Sequence, residues 1–323
     1  MRKIFMFLMV AMCATMFSSC SDDDDDNGVA PIDVNKGVIT FTTNVKVFEK
    51  NEDNYGCYIY TPQNGKISVD WGDGQITEYI GIEKFLNKDG EDYDCYDICL
   101  DHIYDQKKTH TVKITGAILG IDGNGEKDYS PFTSLDVSKC PALKKLNCGS
   151  NNLTSLDVSK NTALQWLMCY ANKFTALDVS KNTALKLFYC NDNKLTSLDV
   201  SKNTALNNLN CAANNLTSLD VSKKTALRFL ICRYNKLTAL DVSKDTALEQ
   251  LDCAANNLTS LDVSKNTALR RLTCAENKFN DSAWNKIYTD LPQSHSGEIY
   301  VGKNSSIGDP SIAKKKGWRI ERY

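Results

Sequence analysis

The sequence contains very little histidine and has no large excess of charge of either sign. Only three histidines occur, His102, His110 and His295, and the formal net charge at pH 7 is −2. Because histidine is the side chain best suited to proton transfer and metal binding near neutral pH, the chain has little material for either chemistry. Without a surplus of Lys and Arg it also has no basic surface of the kind that binds nucleic acid. We therefore predict no metal ion and no nucleic-acid partner.

The signature motifs of common enzyme classes are missing as well. The sequence contains no G-x-S-x-G, no H-E-x-x-H and no phosphate-binding glycine loop. One fragment with a histidine, "SHSGE" at 294–298, stands alone and is interpreted as a loop. The sequence therefore predicts a protein that is not an enzyme and that carries no cofactor.

The apolar stretch at the N-terminus is too short to cross a bilayer. The residues "MRK" precede fourteen largely apolar residues at 4–17, which suits a secretory signal peptide over 1–19. The stretch ends in "FSSC", which resembles a bacterial lipobox, although Phe17 stands where Leu is usual. The resemblance implies cleavage before Cys20 and acylation of its thiol, with palmitate among the acyl chains. An ordinary secretory peptide that leaves Cys20 as a free thiol is the alternative.

Residues 20–35 are polar, contain Gly and Pro and show no periodicity, which predicts a flexible acidic tether. The run "SDDDDDN" at 21–27 resembles the signal that sends some Gram-negative lipoproteins to the outer face of the outer membrane. A solvated acidic linker is a compatible interpretation. Several acyl chains on one cysteine anchor a protein stably. We expect a lipid-anchored outer-membrane protein that faces the cell exterior and touches the membrane only through its anchor.

Short alternating segments over 36–118 predict a β-sandwich. Segments such as "GVITFTTNVKVF", "KISVDWGDG" and "HTVKITG" alternate apolar and polar residues between Gly, Asn and Asp. The pentapeptide "DWGDG" (70–74) together with "HIY" (102–104) resembles the PKD-type domain. In that arrangement Trp71 fills the core of the sandwich, and the glycines permit a tight turn between strands.

Two aspartates and three cysteines of this segment leave alternatives open. Asp70 and Asp73 are candidates for metal ligation or for capping the turn beside glycine, and we favour capping. A disulfide among Cys57, Cys95 and Cys99 is compatible with an exported protein, but the sequence does not determine which two would pair.

From Leu143 a unit of 21 residues repeats without a slip, and it reads L-x-x-L-x-C-x-x-N-x-L-T-S-L-D-V-S-K-N-T-A. The unit resembles the leucine-rich repeat with Cys in the third apolar slot, and it implies the broad internalin-like and BspA-like class of bacterial surface proteins. A half unit, "FTSLDVSKCPA", precedes the first. We assign repeats to 119–279 and predict a mostly β fold, a solenoid with a parallel concave sheet that follows the sandwich. The units begin at Leu143, Leu164, Leu185, Leu206, Leu227, Leu248 and Leu269.

Two residue types recur at fixed places in the unit and should form ladders, because strands of successive coils stack about 4.8 Å apart. The asparagine amide can satisfy backbone groups at the turn that leaves the strand. The cysteine is predicted to act as a small buried hydrophobe, with disulfides or metal binding as the alternatives. The asparagines are Asn151, Asn172, Asn193, Asn214, Asn235, Asn256 and Asn277, and the cysteines are Cys148, Cys169, Cys190, Cys211, Cys232, Cys253 and Cys274.

The rest of the unit is too short for a proper helix, which predicts an extended or 3₁₀-like convex side with Asp157 and Lys160 on a solvated face. After Asn277 the repeat stops, and residues 280–323 predict a small α+β cap over the open end of the stack. Its first element is an amphipathic helix that begins at Asp281 or Ser282 and ends before Pro292.

The positions around the second leucine and the cysteine of each unit vary, whereas the rest is nearly copied. Residues packed between coils have little freedom to change, whereas residues that face outward can differ. Recent duplication explains why the repeats are alike, but not why their differences collect on one face. Apolar residues occupy the middle units inside a polar rim, as in binding surfaces, and Asn207, Asn208 and Asn210 divide them. Neutral drift is the alternative. The candidate ligand-binding residues are Trp166, Met168, Tyr170, Leu187, Tyr189, Phe229, Ile231, Arg233 and Tyr234.

These observations predict a lipid-anchored surface binding protein, an adhesin or receptor, that recognises an extracellular protein or peptide on the concave face. In the leucine-rich repeat family the fold serves recognition, and PKD-type domains act as spacers or accessory binding modules. A glycan-binding accessory lipoprotein of a nutrient-uptake system is the alternative, because Trp166, Tyr189 and nearby asparagines suit sugar rings.

Overall fold

The computed structural model describes a mostly β protein in which a β-sandwich continues into a solenoid. The predicted signal peptide, Cys20 and the tether lie outside the described residues. The structure describes residues 36–45, 47–48, 57–86, 92–106, 108–125, 130–222, 224–302 and 307–322.

One sheet of the sandwich has five antiparallel strands, in the order β11-β1-β9-β4-β5. Its alternating burial follows the sequence pattern: Ile39, Phe41, Val112 and Ile114 are fully buried, and the residues between them face outward. The strands are β1 (Gly37–Thr43), β4 (Lys66–Asp70), β5 (Ile76–Ile80), β9 (His110–Gly116) and β11 (Ser134–Lys139).

The second sheet runs through both parts of the molecule and has thirteen strands within the described residues, in the order β20-β19-β18-β17-β16-β15-β14-β13-β12-β10-β3-β7-β6. From β10 to β20 the strands are parallel, as stacked coils require, whereas β3, β7 and β6 pair antiparallel. The strands of the sandwich side are β3 (Tyr58–Thr61), β6 (Glu83–Leu86), β7 (Asp92–Cys99) and β10 (Gly120–Asp122). Those of the repeats are β12 (Lys145–Asn147), β13 (Trp166–Met168), β14 (Leu187–Tyr189), β15 (Asn208–Asn210), β16 (Phe229–Ile231), β17 (Gln250–Asp252) and β18 (Arg271–Thr273). The cap adds β19 (Gly297–Val301) and β20 (Trp318–Arg322).

The motif that resembles a PKD-type domain forms one buried cluster in the sandwich. Trp71 is fully buried and stacks on His102 with 4.4 Å between ring centroids. The Tyr104 hydroxyl donates to the Trp71 carbonyl oxygen at 3.0 Å, and Asp73 Oδ2 lies 2.8 Å from His102 Nε2. Asp70 accepts the Gly72 N–H, so this carboxylate caps the turn after β4. A short ribbon of β2 (Val47–Phe48) and β8 (His102–Ile103) lies beside this cluster.

Each ladder asparagine holds the turn that leaves the concave strand. Asn172 donates through Nδ2 to the carbonyl oxygens of Cys148 and Cys169, at 2.9 and 3.1 Å, and its Oδ1 accepts the Leu153 N–H at 2.8 Å. The residue before the ladder asparagine has a left-handed backbone in every unit, for example Ala171 with φ 50°. Non-glycine residues adopt this conformation at a cost, which the asparagine contacts offset.

The convex side has turns and extended backbone, and no helix in the described repeats. Asp157 Oδ1 accepts the Ser159 N–H at 2.9 Å, and the same contact recurs along the stack. This hydrogen bond lowers the pKa of Asp157. The face predicted to be merely solvated therefore also contains a row of turn-capping carboxylates.

A second ladder, which the repeat pattern did not reveal, lies inside the convex turn. Asn182 is fully buried, and its Nδ2 donates to the carbonyl oxygens of Val158 and Asn161, each at 2.9 Å. Two units replace this asparagine by charged residues that are also fully buried, Lys224 and Asp245.

The C-terminal segment closes the last coil with two helices and two strands. Helix α1 (Asp281–Asp290) buries Trp284, Ile287 and Tyr288 and is capped by Asn280 rather than by Asp281 or Ser282, because the Asn280 side chain accepts the Ala283 N–H. Helix α2 (Ser311–Lys315) precedes β20. No helix among the described residues has the length and apolar character needed to cross a membrane.

Candidate functional site

The strand register places six of the nine candidate residues on one continuous outward face. Trp166 pairs with Leu187, and Met168 pairs with Tyr189, on the adjacent strands β13 and β14. Phe229 and Ile231 lie two strands further on, in the same two rows. All but Leu187 are half-buried, whereas Leu187 is 5% exposed and offers little surface to a ligand. Side chains 21 residues apart in sequence are therefore neighbours on the sheet.

The other three candidates lie beyond the ends of the concave strands. The Tyr170 hydroxyl donates to Asn124 Oδ1 at 2.7 Å, and the Tyr170 ring packs over Gly149, where a Cβ would stand 2.6 Å from the ring. Arg233 lies 3.4 Å from Asp252 and above the ring of Tyr234. Tyr234 is 57% exposed on the turn that follows the strand. These residues form the rim of the apolar patch rather than its centre.

A notch crosses the patch at β15. Asn208 and Asn210 are 2% and 1% exposed and form its floor, because the side chains on either side are much larger. Tyr189 forms one wall, and Phe229 and Ile231 form the other. The sequence indicated that the fourth unit divides the patch, and the structure turns that division into a small concave site with apolar walls and an amide floor.

Paired polar groups border the patch on the side of the sandwich. Lys145 Nζ donates to the Tyr60 hydroxyl at 2.7 Å, lies 4.0 Å from the centroid of the Tyr60 ring and is 3.6 Å from Asp122. Asn147 Nδ2 donates to Asp122 Oδ1 at 2.8 Å. These groups satisfy one another, so this border is polar without carrying an isolated charge.

A second polar network borders the patch toward the cap. Arg271 donates to the Tyr300 hydroxyl at 2.7 Å, and that hydroxyl donates to Glu298 at 2.9 Å. The hydrogen bond from Tyr300 lowers the pKa of Glu298. Burial raises the pKa of Asp252 to about 6, although nearby Arg233 opposes the shift. The candidate site is thus an apolar strip between two polar networks.

The concave face extends further than the repeats, an extension that the sequence did not indicate. Because β3 pairs with β10, Tyr58 and Tyr60 lie beside Asp122 and Gly120 on the same outward face. The alternation in "YGCYIYT" predicted a strand, but nothing local showed that this strand joins the sheet of the solenoid. At the other end, β19 and β20 continue the face.

The cysteine ladder lies behind this face, inside the coils. All seven thiols are free and fully buried. Burial raises the pKa of Cys148 and of Cys211 to about 12, so the reactive thiolate is scarce at neutral pH. Cys57 is a free, buried thiol as well, and Cys95 and Cys99 are half-buried. Among the residues that the structure describes, no group of three or more His, Cys, Asp or Glu side chains is arranged to hold a metal ion.

Comparison with solved structures finds leucine-rich repeat proteins. The functional domain of InlJ from Listeria monocytogenes, which includes a cysteine ladder, is 33% identical with a TM-score of 0.54, over 62% of this chain and 42% of that chain. A leucine-rich repeat protein from Leptospira interrogans is 19% identical with a TM-score of 0.46, over 57% of this chain and 55% of that chain. Internalin C2 from Listeria monocytogenes strain 4b F2365 is 16% identical with a TM-score of 0.44, over 51% of this chain and 74% of that chain.

The chain spans 42% and 55% of the length of the first two of these structures. No family model and no curated protein matches the sequence. The InlJ domain includes a cysteine ladder, and a ladder of cysteines is also what the 21-residue unit predicts for this chain. The chain thus has a leucine-rich repeat fold, a parallel β-solenoid with a ladder of buried cysteines.

Proposed function

We propose that the concave face of the solenoid binds an extracellular protein or peptide, and that the protein is held at the cell surface by lipid on Cys20. The observation that supports the binding proposal is an apolar strip between two polar networks whose groups hydrogen-bond to one another. The strip consists of Trp166, Met168, Tyr189, Phe229 and Ile231. Half-buried aromatic and aliphatic anchors inside a polar rim are the arrangement that supplies most of the affinity in protein interfaces.

The notch at β15 supports a partner that inserts one side chain. Its walls are apolar, and the almost fully buried Asn208 and Asn210 close it below, so an aromatic or aliphatic side chain is complementary to it. Trp166 and Met168 then offer a second contact area two strands away. A convex partner surface with two anchors fits this division better than a flat one.

The test compares binding by the purified protein with binding by two double variants. The concave variant carries Trp166→Ala and Phe229→Ala, and the control variant carries Lys160→Ala and Lys181→Ala on the convex side. Each is presented to a panel of extracellular host proteins and to a glycan array. We expect the first variant to lose at least about tenfold in affinity for the protein retained by wild type, because interface anchors contribute about 2 kcal/mol or more each. The control should bind as wild type does, and both should melt as wild type does.

Equal retention by the concave variant would overturn the binding proposal. Strong saccharide-specific binding, lost in the same variant, would replace the protein partner by a glycan. The anchor is tested separately by metabolic labelling with palmitate, which should label wild type and fail to label Cys20→Ser. Incorporation of palmitate into the Cys20→Ser variant would contradict the proposal of a lipid on Cys20 and would leave the binding proposal unaffected.

A further inference from the structure

The outer end of the sandwich exposes most of the large apolar side chains that face solvent in the described chain. Ile76, Ile80, Ile82 and Ile103 are 67%, 49%, 72% and 61% exposed, and Tyr234 of the concave rim is the fifth such residue. Scattered exposed apolar residues are ordinary, but Ile76 and Ile80 lie on one face of one strand, with Ile82 two residues further on. Strand β5 belongs to the five-stranded sheet, whereas the candidate binding face lies on the thirteen-stranded sheet.

The strand that carries the two isoleucines is also the last strand of its sheet. In the five-stranded sheet β5 pairs with β4 on one side and with no described strand on the other. The Trp71 N–H donates to the Gln75 carbonyl oxygen at 3.1 Å, and the Gly81 N–H donates to the Gly65 carbonyl oxygen at 3.0 Å. Hydrogen-bonded pairs alternate with other pairs along an antiparallel ladder. These two contacts therefore determine which residues of β5 direct their backbone N–H and C=O groups toward β4.

The alternation directs the N–H and C=O groups of Ile76, Glu78 and Ile80 away from β4, toward the open edge. The same three residues turn their side chains to solvent. An incoming strand would therefore meet both a row of unpaired backbone groups and an Ile-Glu-Ile surface. The opposite end of the protein differs, because β20 carries Arg319, Glu321 and Arg322, and charged side chains protect sheet edges from pairing.

We propose that the β5 edge binds an extended segment of a partner protein, which pairs with β5 as a further antiparallel strand. This segment has an apolar, a basic and an apolar residue at alternate positions. In the register centred on Glu78, the basic side chain lies opposite Glu78, and the apolar ones lie opposite Ile76 and Ile80. Opposite charges in cross-strand pairs stabilise pairing, and strand addition is a common mode of peptide recognition.

Charge selects this partner over a second copy of the chain. Two copies paired through β5 in the same register would place Glu78 opposite Glu78, which is destabilising. Glu78 forms no ion pair within the part of the chain that the structure describes, and Asp70 adds an exposed acidic group at one end of the strand, whereas Asp73 is paired with His102. The surface is thus complementary to a basic and apolar segment.

The experiment uses the purified full chain and two fluorescent, blocked heptapeptides, Thr-Val-Thr-Lys-Thr-Val-Thr and the same peptide with Glu in place of Lys. Fluorescence anisotropy measures affinity, and hydrogen exchange locates the contact. We expect the Lys peptide to bind about fivefold more tightly than the Glu peptide and to slow exchange at Ile76, Glu78 and Ile80. Glu78→Lys should reverse the preference, while Glu321→Lys on the β20 edge should leave it unchanged.

A second variant, Glu78→Pro, removes an edge N–H without removing a hydrogen bond to β4, so it should fold and yet lose peptide binding. Equal affinity for the two peptides, protection elsewhere than in β5, or full binding by Glu78→Pro would overturn the proposal. Sedimentation that shows a dimer abolished by Glu78→Pro would overturn the choice of partner. None of these results depends on what the concave face binds.

Discussion

A ladder asparagine contributes more than a surface polar residue can, because its amide contacts several buried backbone groups at once and shares two of them with the neighbouring ladder asparagines. Asn193 donates to the carbonyl oxygens of Cys169 and Cys190 at 3.0 and 3.1 Å, and it accepts the Phe174 N–H at 3.1 Å. The residues around these groups are buried, and a buried backbone group that loses a hydrogen bond destabilises the fold. This asparagine therefore recurs in seven units because the same buried backbone groups need its hydrogen bonds at each turn.

Asn193→Ala should lower the free energy of unfolding by about 1–3 kcal/mol, because the buried Phe174 N–H loses its acceptor and the carbonyl oxygens of Cys169 and Cys190 each lose one of two donors. Asn191→Ala is the matched control, since the Asn191 side chain donates only to its exposed neighbour Asp192. The control should change stability by less than about 0.5 kcal/mol. Urea unfolding followed by circular dichroism measures both variants, and equal losses would contradict the role of the ladder.

The second ladder contains a charged defect. Asp245 occupies an asparagine position, is fully buried, and has two carboxylate oxygens that accept no hydrogen bond from any described residue. Burial, together with the nearby carboxylates of Asp241 and Asp220, raises its pKa to about 7, and Lys224 opposes the shift. A carboxyl group whose pKa is higher in the folded than in the unfolded chain stabilises the fold at low pH, and this contribution falls as the pH rises from about 4 to about 7.

Replacing both residues by the ladder asparagine, Lys224→Asn with Asp245→Asn, should remove this pH dependence. We expect the stability of the double variant relative to wild type to increase by roughly 2–4 kcal/mol between pH 4 and pH 8, mostly below pH 7. Urea unfolding at pH 4.5, 6 and 8 checks the difference. A difference that stays constant over this range would show that Asp245 does not keep its proton in the folded chain.

At the scale of one coil, the cysteine ladder behaves as a hydrophobic element. The thiol of Cys190 is fully buried, and burial raises its pKa well above the ordinary value, so both access and ionisation oppose reaction. Cys95 and Cys99 lie on β7 at the surface of the sandwich and are half-buried. The two groups of cysteines should therefore react at very different rates.

Alkylation with iodoacetamide at pH 8 should label Cys95 and Cys99 in the folded protein and leave the seven ladder cysteines unlabelled until urea unfolds the coils. We expect the labelling rates to differ by at least about a thousandfold, because buried thiols react only through opening of the structure. Peptide mapping by mass spectrometry locates the label. Early labelling of any ladder cysteine would show that its coil opens locally.

The elements were predictable to different degrees, for physical reasons. The concave strands follow from the spacing of leucine, cysteine and asparagine, because residues 21 apart lie side by side on adjacent strands. The second ladder was not recognised, since Asn161 lies in a copied segment whose repetition also admits a history of duplication. The notch depended on the relative sizes of Asn208 and Phe229 once they are neighbours, which only the register reveals.

The described residues share one hydrophobic core rather than two. The buried residues form a single cluster from Ile39 of the sandwich to Trp318 of the cap. The sheet also passes without a break from β10 into β12, although the sequence suggested a change of domain after residue 118. The half unit before the first repeat explains the join: its segment β11 pairs with β1 of the sandwich instead of joining the concave sheet. The sandwich therefore occupies the open end of the stack that solenoids must cover.

Phe132 lies at this junction and touches both parts. Its ring is fully buried, 4.7 Å from the ring of Phe41 in the sandwich, and its N–H donates to the first ladder asparagine, Asn151, at 2.8 Å. The ring also occupies the space beside Gly123, where a Cβ would stand 2.0 Å from it. A shared core of this kind makes the sandwich and the first coils unfold together, because neither can expose its end without exposing the other.

Wild type should therefore show one cooperative thermal transition, and Phe132→Ala should separate the unfolding of the sandwich from that of the coils. The loss of this buried ring should cost about 3–5 kcal/mol, and the same is expected of Phe174→Ala, whose ring is equally buried but lies within the stack. The two variants should differ in cooperativity, because only Phe132→Ala should give two transitions in calorimetry and different exchange rates for the amides of Ile114 and Leu230. Two transitions in wild type would contradict the continuous core, and a single transition in both variants would place the coupling elsewhere than at Phe132.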